Sequence, residues 1–343
     1  MDKRESLPGI ALILSLFIIT IVSSIGVMMS NQTQQKVKFH IYENFFSQAY
    51  LDLLSLEVIG KEYLKPEQNR LQIALASSSE SIENSLSFET ENGRVFGNFY
   101  DKNNCFNVNS LVSKINNSQD RVSRINSQLL KNLGMSLEIP EYDMDIIVSS
   151  LIDWIDTNST PQDTLGAEDI NYTAKKNPYL PTNQLIVDLP EIRNINGMND
   201  EIYKQLKPYL CVHPSRELNI NINALSPKYP HLIIAITENQ LDFYSAQNVL
   251  LSKPYGGYKS TKEFFDMPEF DGLALSGSIR ESLSTQSNYY EIDVEITNGS
   301  NTYDLISKIE ITSTGPKVYM RKIGKYLCCL LYTSDAAAEG LGV

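Results

Sequence analysis

Between Ile10 and Met29 the chain reads IALILSLFIITIVSSIGVMM, twenty residues without a charge. At 1.5 Å per residue, a helix of that length covers roughly 30 Å, the thickness of a bilayer's hydrocarbon core. The helical pattern continues past the membrane edge. Tyr42, Phe45, Phe46, Ala49, Leu53 and Leu56 recur at spacings of three and four, and neither proline nor glycine intervenes before Gly60. The spacing predicts one helix from Ile10 to Leu64, about 80 Å long, half in lipid and half forming the spine of an outer domain. A cleaved secretory signal would have a shorter apolar stretch and a small-residue cleavage site, whereas polar SNQTQQ follows here. Lys3 and Arg4 on one side are balanced by Lys36 and Lys38 on the other, so basic residues alone do not set the orientation.

The formal net charge of -12 argues against nucleic-acid binding, which needs a basic face to displace counterions from phosphate. The three histidines, His40, His213 and His231, form no H-x-x-x-H pair, and no G-x-S-x-G occurs. None of the four cysteines belongs to a C-x-x-C pair or stands at metal-ligand spacing from a histidine. No catalytic constellation is legible, and the chain reads as a non-enzyme.

Strand signals flank a helical middle. SLSFET, Asn92-Gly93 and RVFGNFYD read as a hairpin with a tight type I′ turn. YYEIDVEITNG from Tyr289 and TYDLISKIEITSTGPKVYMRKI supply further strands. Between them, FNVNSL at 106–111 recurs as ININAL at 220–225, an apolar-Asn-apolar-Asn repeat suited to turns or caps at the start of helical segments. LPEIRNINGMNDEIYKQLKPYL at 189–210 reads as helix, glycine turn, helix. Asp200 and Glu201 just past that turn would repel phosphate. The order helix, strands, helices, strands implies an α+β fold in which a long N-terminal helix packs on an antiparallel sheet interrupted by a large, mainly α-helical insertion.

The stretch from Ile152 to Leu185 holds Asp153, Asp156, Asp163, Glu168 and Asp169, five carboxylates within seventeen residues, among Asn, Thr and Gln oxygens. Calcium takes six to eight hard oxygen ligands in flexible geometry, so such a loop suits it better than magnesium or zinc. On composition alone a solvated acidic surface is the simpler reading. Glycosidase chemistry would need one carboxyl held protonated by burial, and nothing in the loop indicates burial.

Two features carry a family resemblance. A short leader ending at Gly9, followed by an apolar helix that becomes amphipathic, resembles type IV pilins and pseudopilins. The order D-W-I-D, proline, G-A-E-D, tyrosine and a proline-containing loop within 152–185 resembles the minor pseudopilin K family of type II secretion systems. That family lacks the glutamate usual at the fifth mature position, and Leu14 stands there in this chain. The resemblance implies cleavage by a prepilin peptidase between Gly9 and Ile10, N-methylation, and a single-pass anchor in the inner membrane with a periplasmic body. It also implies a complex with minor pseudopilins I and J at the pseudopilus tip, a helix-hairpin-helix (SAM-like) character for the insertion, and calcium at Asp153, Asp156, Asp163, Glu168 and Asp169. The alternative is an anchored binding or adhesion module unrelated to secretion.

The expected segments are leader 1–9, transmembrane helix 10–29, pilin-like part 30–111, helical insertion 112–218, a second helical segment with closing strands 219–326, and a tail 327–343. LCCLLYTSDAAAEGLGV shifts abruptly in composition and reads as foreign to what precedes it. Setting Cys328 and Cys329 aside leaves Cys105 and Cys211, which in an oxidising compartment are equally compatible with a bridge and with two free thiols.

Overall fold

The structure, a computed structural model, describes residues 8–65, 81–113, 121–275, 277–299 and 301–324. The expectation for the tail therefore lies outside the described residues. Helix α1 runs unbroken from Pro8 to Tyr63, about 84 Å. Gly9 and Ile10 lie in its first turn, and it is the described helix long and apolar enough to cross a membrane. From Leu12 to Ile41 its described side chains are exposed, including Leu14, Phe17, Phe39 and Ile41.

The C-terminal half of α1 lies on a five-stranded antiparallel sheet. Its strands are β1 (Ser81–Thr90), β2 (Gly93–Asp101), β7 (Tyr289–Asn298), β8 (Asn301–Thr312) and β9 (Gly315–Ile323), hydrogen-bonded in that order. Ala49, Leu53 and Leu56 on one face of α1 pack with Val95, Phe99, Ile292, Val294, Ile296, Leu305 and Ile309. The fit is close: a Cβ on Gly97 would strike the Leu56 side chain, so glycine lets the helix settle onto β2.

Two strand expectations need correction. β1 starts at Ser81, four residues before the alternating SLSFET. The turn residues between β1 and β2 are Glu91 and Asn92, with Thr90 paired to Gly93, and Asn92 does not take positive φ. Tertiary contacts displace the expected Asn-Gly turn: Thr90 Oγ1 and Asn92 Nδ2 both donate to Asp52 Oδ2 on α1, at 3.0 and 2.8 Å. Gly93 has φ +143, and a Cβ there would meet the Thr297 carbonyl.

One carboxylate lies inside this interface. Glu57 on α1 is buried and accepts from Arg321 Nε at 2.6 Å, Arg321 Nη2 at 2.9 Å and Ser307 Oγ at 2.6 Å. Burial pushes its carboxyl up, but the hydrogen bonds from Arg321 and Ser307, with the Arg321 and Lys61 charges, outweigh this and hold it below the usual range.

The chain leaves the sheet after Asp101 and re-enters at Tyr289, and these ends are neighbours: Asp101 pairs with Tyr290, and Lys102 N donates to Tyr289 O at 2.9 Å. Residues 102–288 are therefore an insertion between two adjacent strands. They form a second core from Phe106 to Leu283, built on α2 (Arg121–Ser136), α3 (Glu141–Ile155), α4 (Asp169–Thr173), α5 (Asp200–Leu206), α6 (His231–Ile236), α7 (Phe243–Leu251), α8 (Thr261–Phe265) and α9 (Gly277–Glu281). The first arm of the expected helix-turn-helix is a 3-10 segment, Leu189–Asn194, carrying Pro190. Gly197 turns the chain at φ +83 into α5.

Each asparagine repeat opens on a two-residue parallel bridge: β3 (Phe106–Asn107) beside β4 (Leu210–Cys211), and β5 (Ile220–Asn221) beside β6 (Leu283–Ser284). The asparagines do more than cap. Asn109 accepts from Ile186 N at 2.9 Å and donates to Ile186 O at 2.9 Å, while Asn223 accepts from Tyr258 N at 2.7 Å and donates to Tyr258 O at 3.0 Å. Each buried amide thus pairs with one residue's backbone as a neighbouring strand would.

Candidate metal centre

α3 buries nearly its whole C-terminal half, from Ile147 to Ile155, as expected of a helix apolar around most of its circumference. Its last two turns carry Ser149, Asp153 and Trp154 into the insertion core. Trp154 packs edge-on against Tyr172 with ring centroids 5.2 Å apart, and its Nε1 donates to Glu191 Oε1 at 2.8 Å. Tyr172, fully buried on the short helix α4, draws the preceding Glu168 down towards α3.

The connecting loop is stapled by its own aspartates. Asp156 accepts from Asn158 N at 3.1 Å and Asn158 Nδ2 at 2.8 Å. Asp163 accepts from Leu165 N at 2.8 Å, Gly166 N at 3.1 Å and Ser149 Oγ at 2.8 Å. Asp153 Oδ1 accepts from Gln162 N at 2.7 Å, folding the loop back over the helix. A Cβ on Gly166 would collide with Asp153 Oδ2, so the backbone closes directly over that oxygen.

The expectation that burial is absent is wrong. Asp153 is 0%, Asp156 3% and Glu168 4% exposed, because they sit at the two ends of the loop, where Gln162 N and Gly166 close over Asp153, while 157–161 and 163–164 between them stay in solvent. The five acids therefore divide: Asp153, Asp156 and Glu168 are buried, while Asp163 and Asp169 are exposed. Asp153 Oδ2 and both Glu168 carboxylate oxygens are buried without a hydrogen-bond donor. Asn171 N donates to the Glu168 backbone carbonyl at 2.8 Å, and Asn171 Oδ1 accepts from Glu168 N at 3.1 Å.

Burial, joined by the charges of Asp156 and Asp163, pushes the Asp153 carboxyl up to about 7. Burial, with Asp153, Asp156 and Asp169, pushes Glu168 up to about 7. Asp156 is raised by burial against the opposing pull of Asn158 and Arg216. Arg216 lies far along the sequence and the acidic stretch gave no hint of it. Buried oxygens without donors are what a hard cation would satisfy, and among the five acids Asp153 Oδ2 and the two Glu168 oxygens have that character, whereas both Asp156 oxygens are taken by Asn158.

The whole is a pilin-like α+β protein, carrying a helix able to anchor it in a membrane and a helical lobe inserted between two strands. Residues 104–215 match the family described as type II secretion system (T2SS), protein K. The chain thus carries a type II secretion system protein K domain. It is 24% identical over 334 residues to the type II secretion system protein K of Pectobacterium carotovorum, covering 94% of this chain and 98% of that one. It is 33% identical over 202 residues to a putative type II secretion system protein K of Escherichia coli K12, covering 57% and 60% of the two chains. In fold it resembles a chain from the crystal structure of the GspK-GspI-GspJ complex of the enterotoxigenic Escherichia coli type 2 secretion system. That match has a TM-score of 0.65 at 24% identity and covers 81% of this chain and 98% of that one.

Proposed function

We propose that this protein is a minor pseudopilin of a type II secretion system that joins minor pseudopilins I and J to start or cap the pseudopilus. The observation that carries this reading is where the lobe stands. Along α1, Asp52 meets the β1–β2 turn, and eight residues on Gly60 faces Phe99 and Ile292, beside the Asp101 and Tyr290 ends from which the insertion departs. The lobe therefore rises from the end of the sheet remote from the apolar half of α1. With α1 anchored in the inner membrane and the body in the periplasm, such a bulk would obstruct addition of a further subunit above it.

The bare apolar half of α1 supplies a surface for lipid and for neighbouring pseudopilin helices. Prepilin peptidase would cut between Gly9 and Ile10, and Ile10 would be N-methylated. Leu14 fits a subunit with no neighbour above it, where an unpaired carboxylate in lipid would be costly. Asp153, Asp156 and Glu168, with Asp163 and Asp169 at the rim, would hold calcium, which supplies the positive charge their buried oxygens lack. The protein's role in this reading is assembly, with no catalytic step.

Co-purification tests the reading. With calcium present, the chain should elute with I and J as one complex. Separate elution of all three soluble partners would contradict it.

A further inference from the structure

The tightest gathering of metal-binding side chains among the described residues lies outside the acidic loop. Ligand atoms of Cys105, Cys211 and His213 all fall within 4.8 Å of one another. In the structure the two sulfurs are bonded, with Cα atoms 5.7 Å apart. Around them, His213 Nε2 stands 3.3 Å from Cys211 Sγ and 2.9 Å from the Lys102 carbonyl oxygen. That same oxygen lies 3.0 Å from Cys105 Sγ. Two sulfurs, one imidazole nitrogen and one carbonyl oxygen thus converge.

The edges of a tetrahedron around zinc, with bonds of about 2.0–2.3 Å, are roughly 3.3–3.8 Å. The spacings of 2.9, 3.0 and 3.3 Å fall at or short of those edges, while the bonded sulfurs lie far inside them and must be parted by reduction before an ion can enter. The His213 ring is held in place by stacking on Tyr289, with centroids 4.1 Å apart and planes within 4°. Its Nδ1 is buried without a partner and can carry the ring proton once Nε2 is metallated. Cys105, Cys211 and His213 line a cavity of about 350 Å³ together with Lys102, Lys207 and Lys322, which gives an approach to the sulfurs. The same cavity carries Glu291, ion-paired with Lys102 at 2.9 Å, and Asp188, ion-paired with Lys322, so its charges largely offset one another.

We propose that the reduced chain is a zinc site, in which the Cys105 and Cys211 thiolates, His213 Nε2 and the Lys102 carbonyl oxygen hold a borderline-soft divalent cation that disulfide formation excludes. A reducing dithiol gives two electrons and two protons to the S–S bond and itself becomes a disulfide. Zinc then displaces both protons from the resulting thiols. Two thiolates neutralise the ion, so its entry adds no net charge beside the lysines. The site is independent of the acidic loop, whose all-oxygen donors suit calcium.

The test uses the full chain in detergent, with excess calcium occupying the acidic loop, titrated with Zn²⁺ against a chromophoric chelator before and after reduction. The reduced chain should take up one more equivalent than the oxidised chain, and Co²⁺ in place of Zn²⁺ should give a thiolate charge-transfer band. His213→Ala should weaken uptake about 10-fold or more, and Cys211→Ser about 100-fold or more. Melting is read in parallel, because reduction or substitution can itself loosen the fold. Zinc should raise the melting temperature of the reduced chain, with reversal by EDTA. Equal uptake by the two redox forms, uptake unchanged in His213→Ala, or no rise in melting temperature on adding zinc would each overturn the proposal.

Discussion

Asp153 and Glu168, at opposite ends of one loop, are two buried carboxylates: the Asp153 charge adds to burial in making Glu168 harder to ionise, and Asp153 Oδ2 and both Glu168 oxygens lack a hydrogen-bond partner. Their folded-state pKa values of about 7 lie above the unfolded ones, so the folded chain binds more protons between roughly pH 4 and 7. Stability without metal should therefore fall as pH rises through that window. Calcium should cancel the fall, adding about 2.7 kcal/mol at a hundred times its Kd. Asp101, raised to about 6 by burial, contributes with the same sign but is remote from the loop and should not respond to calcium. Melting curves from pH 5 to 8, with calcium or EDTA, check this. Glu168→Gln should flatten the metal-free pH dependence and weaken the calcium response together, whereas a solvated acidic surface would show neither.

Glu57 and Arg321 fasten α1 to the last strand. Arg321→Ala leaves a buried carboxylate paired only with Ser307 and the more distant Lys61, and should cost about 3–5 kcal/mol. Because the folded pKa of Glu57 is depressed, its contribution is present above the unfolded value near 4 and is lost as pH falls through the lower folded value. Denaturant titrations of wild type and Arg321→Ala should therefore converge in acid.

Asn109 and Asn223 occupy matching places in the two repeats, each bonding both backbone groups of one distant residue. Alanine at either position strands a buried N–H and C=O, and should cost about 2–4 kcal/mol. Aspartate keeps the acceptor but sets an anion against the Ile186 or Tyr258 carbonyl, so Asn→Asp should be no milder. Hydrogen exchange at Ile186 N or Tyr258 N, read separately for each variant, would localise the damage.

Cys105 and Cys211 close a loop across 106 residues of sequence. Chain-entropy reasoning gives a bridge of that span about 2–5 kcal/mol. Intact mass should rise by two hydrogens on reduction, and Cys105→Ala/Cys211→Ala should melt several degrees lower. A mass unaffected by reductant would show that the chain carries two free thiols instead.

The elements with strong local pattern were legible in the sequence. The three-four spacing through Leu56 gave the helix, and the alternation from Tyr289 gave β7. The β1–β2 turn departs from the Asn-Gly pattern because Asp52, which reshapes it, lies on another element. The acidic residues are visible as a cluster, but which of them are buried depends on the loop folding back over Asp153 through Gln162 and Gly166, a closure no local pattern records. Glu57 pairs with Arg321 across most of the chain, and Cys105 joins Cys211 and His213 only across 106 residues of sequence, so neither could be found by spacing. The asparagine repeat was seen but its purpose was not, since a cap and a strand-like amide pair are indistinguishable until their partners are known.

The most direct test of the central claim is the mature amino terminus after co-expression with a prepilin peptidase, read by mass spectrometry. Ile10 at the terminus, N-methylated, is the expected result for a pseudopilin. An intact Met1, or a cut beyond Met29, would contradict that identity and leave an anchored or secreted acidic protein in its place.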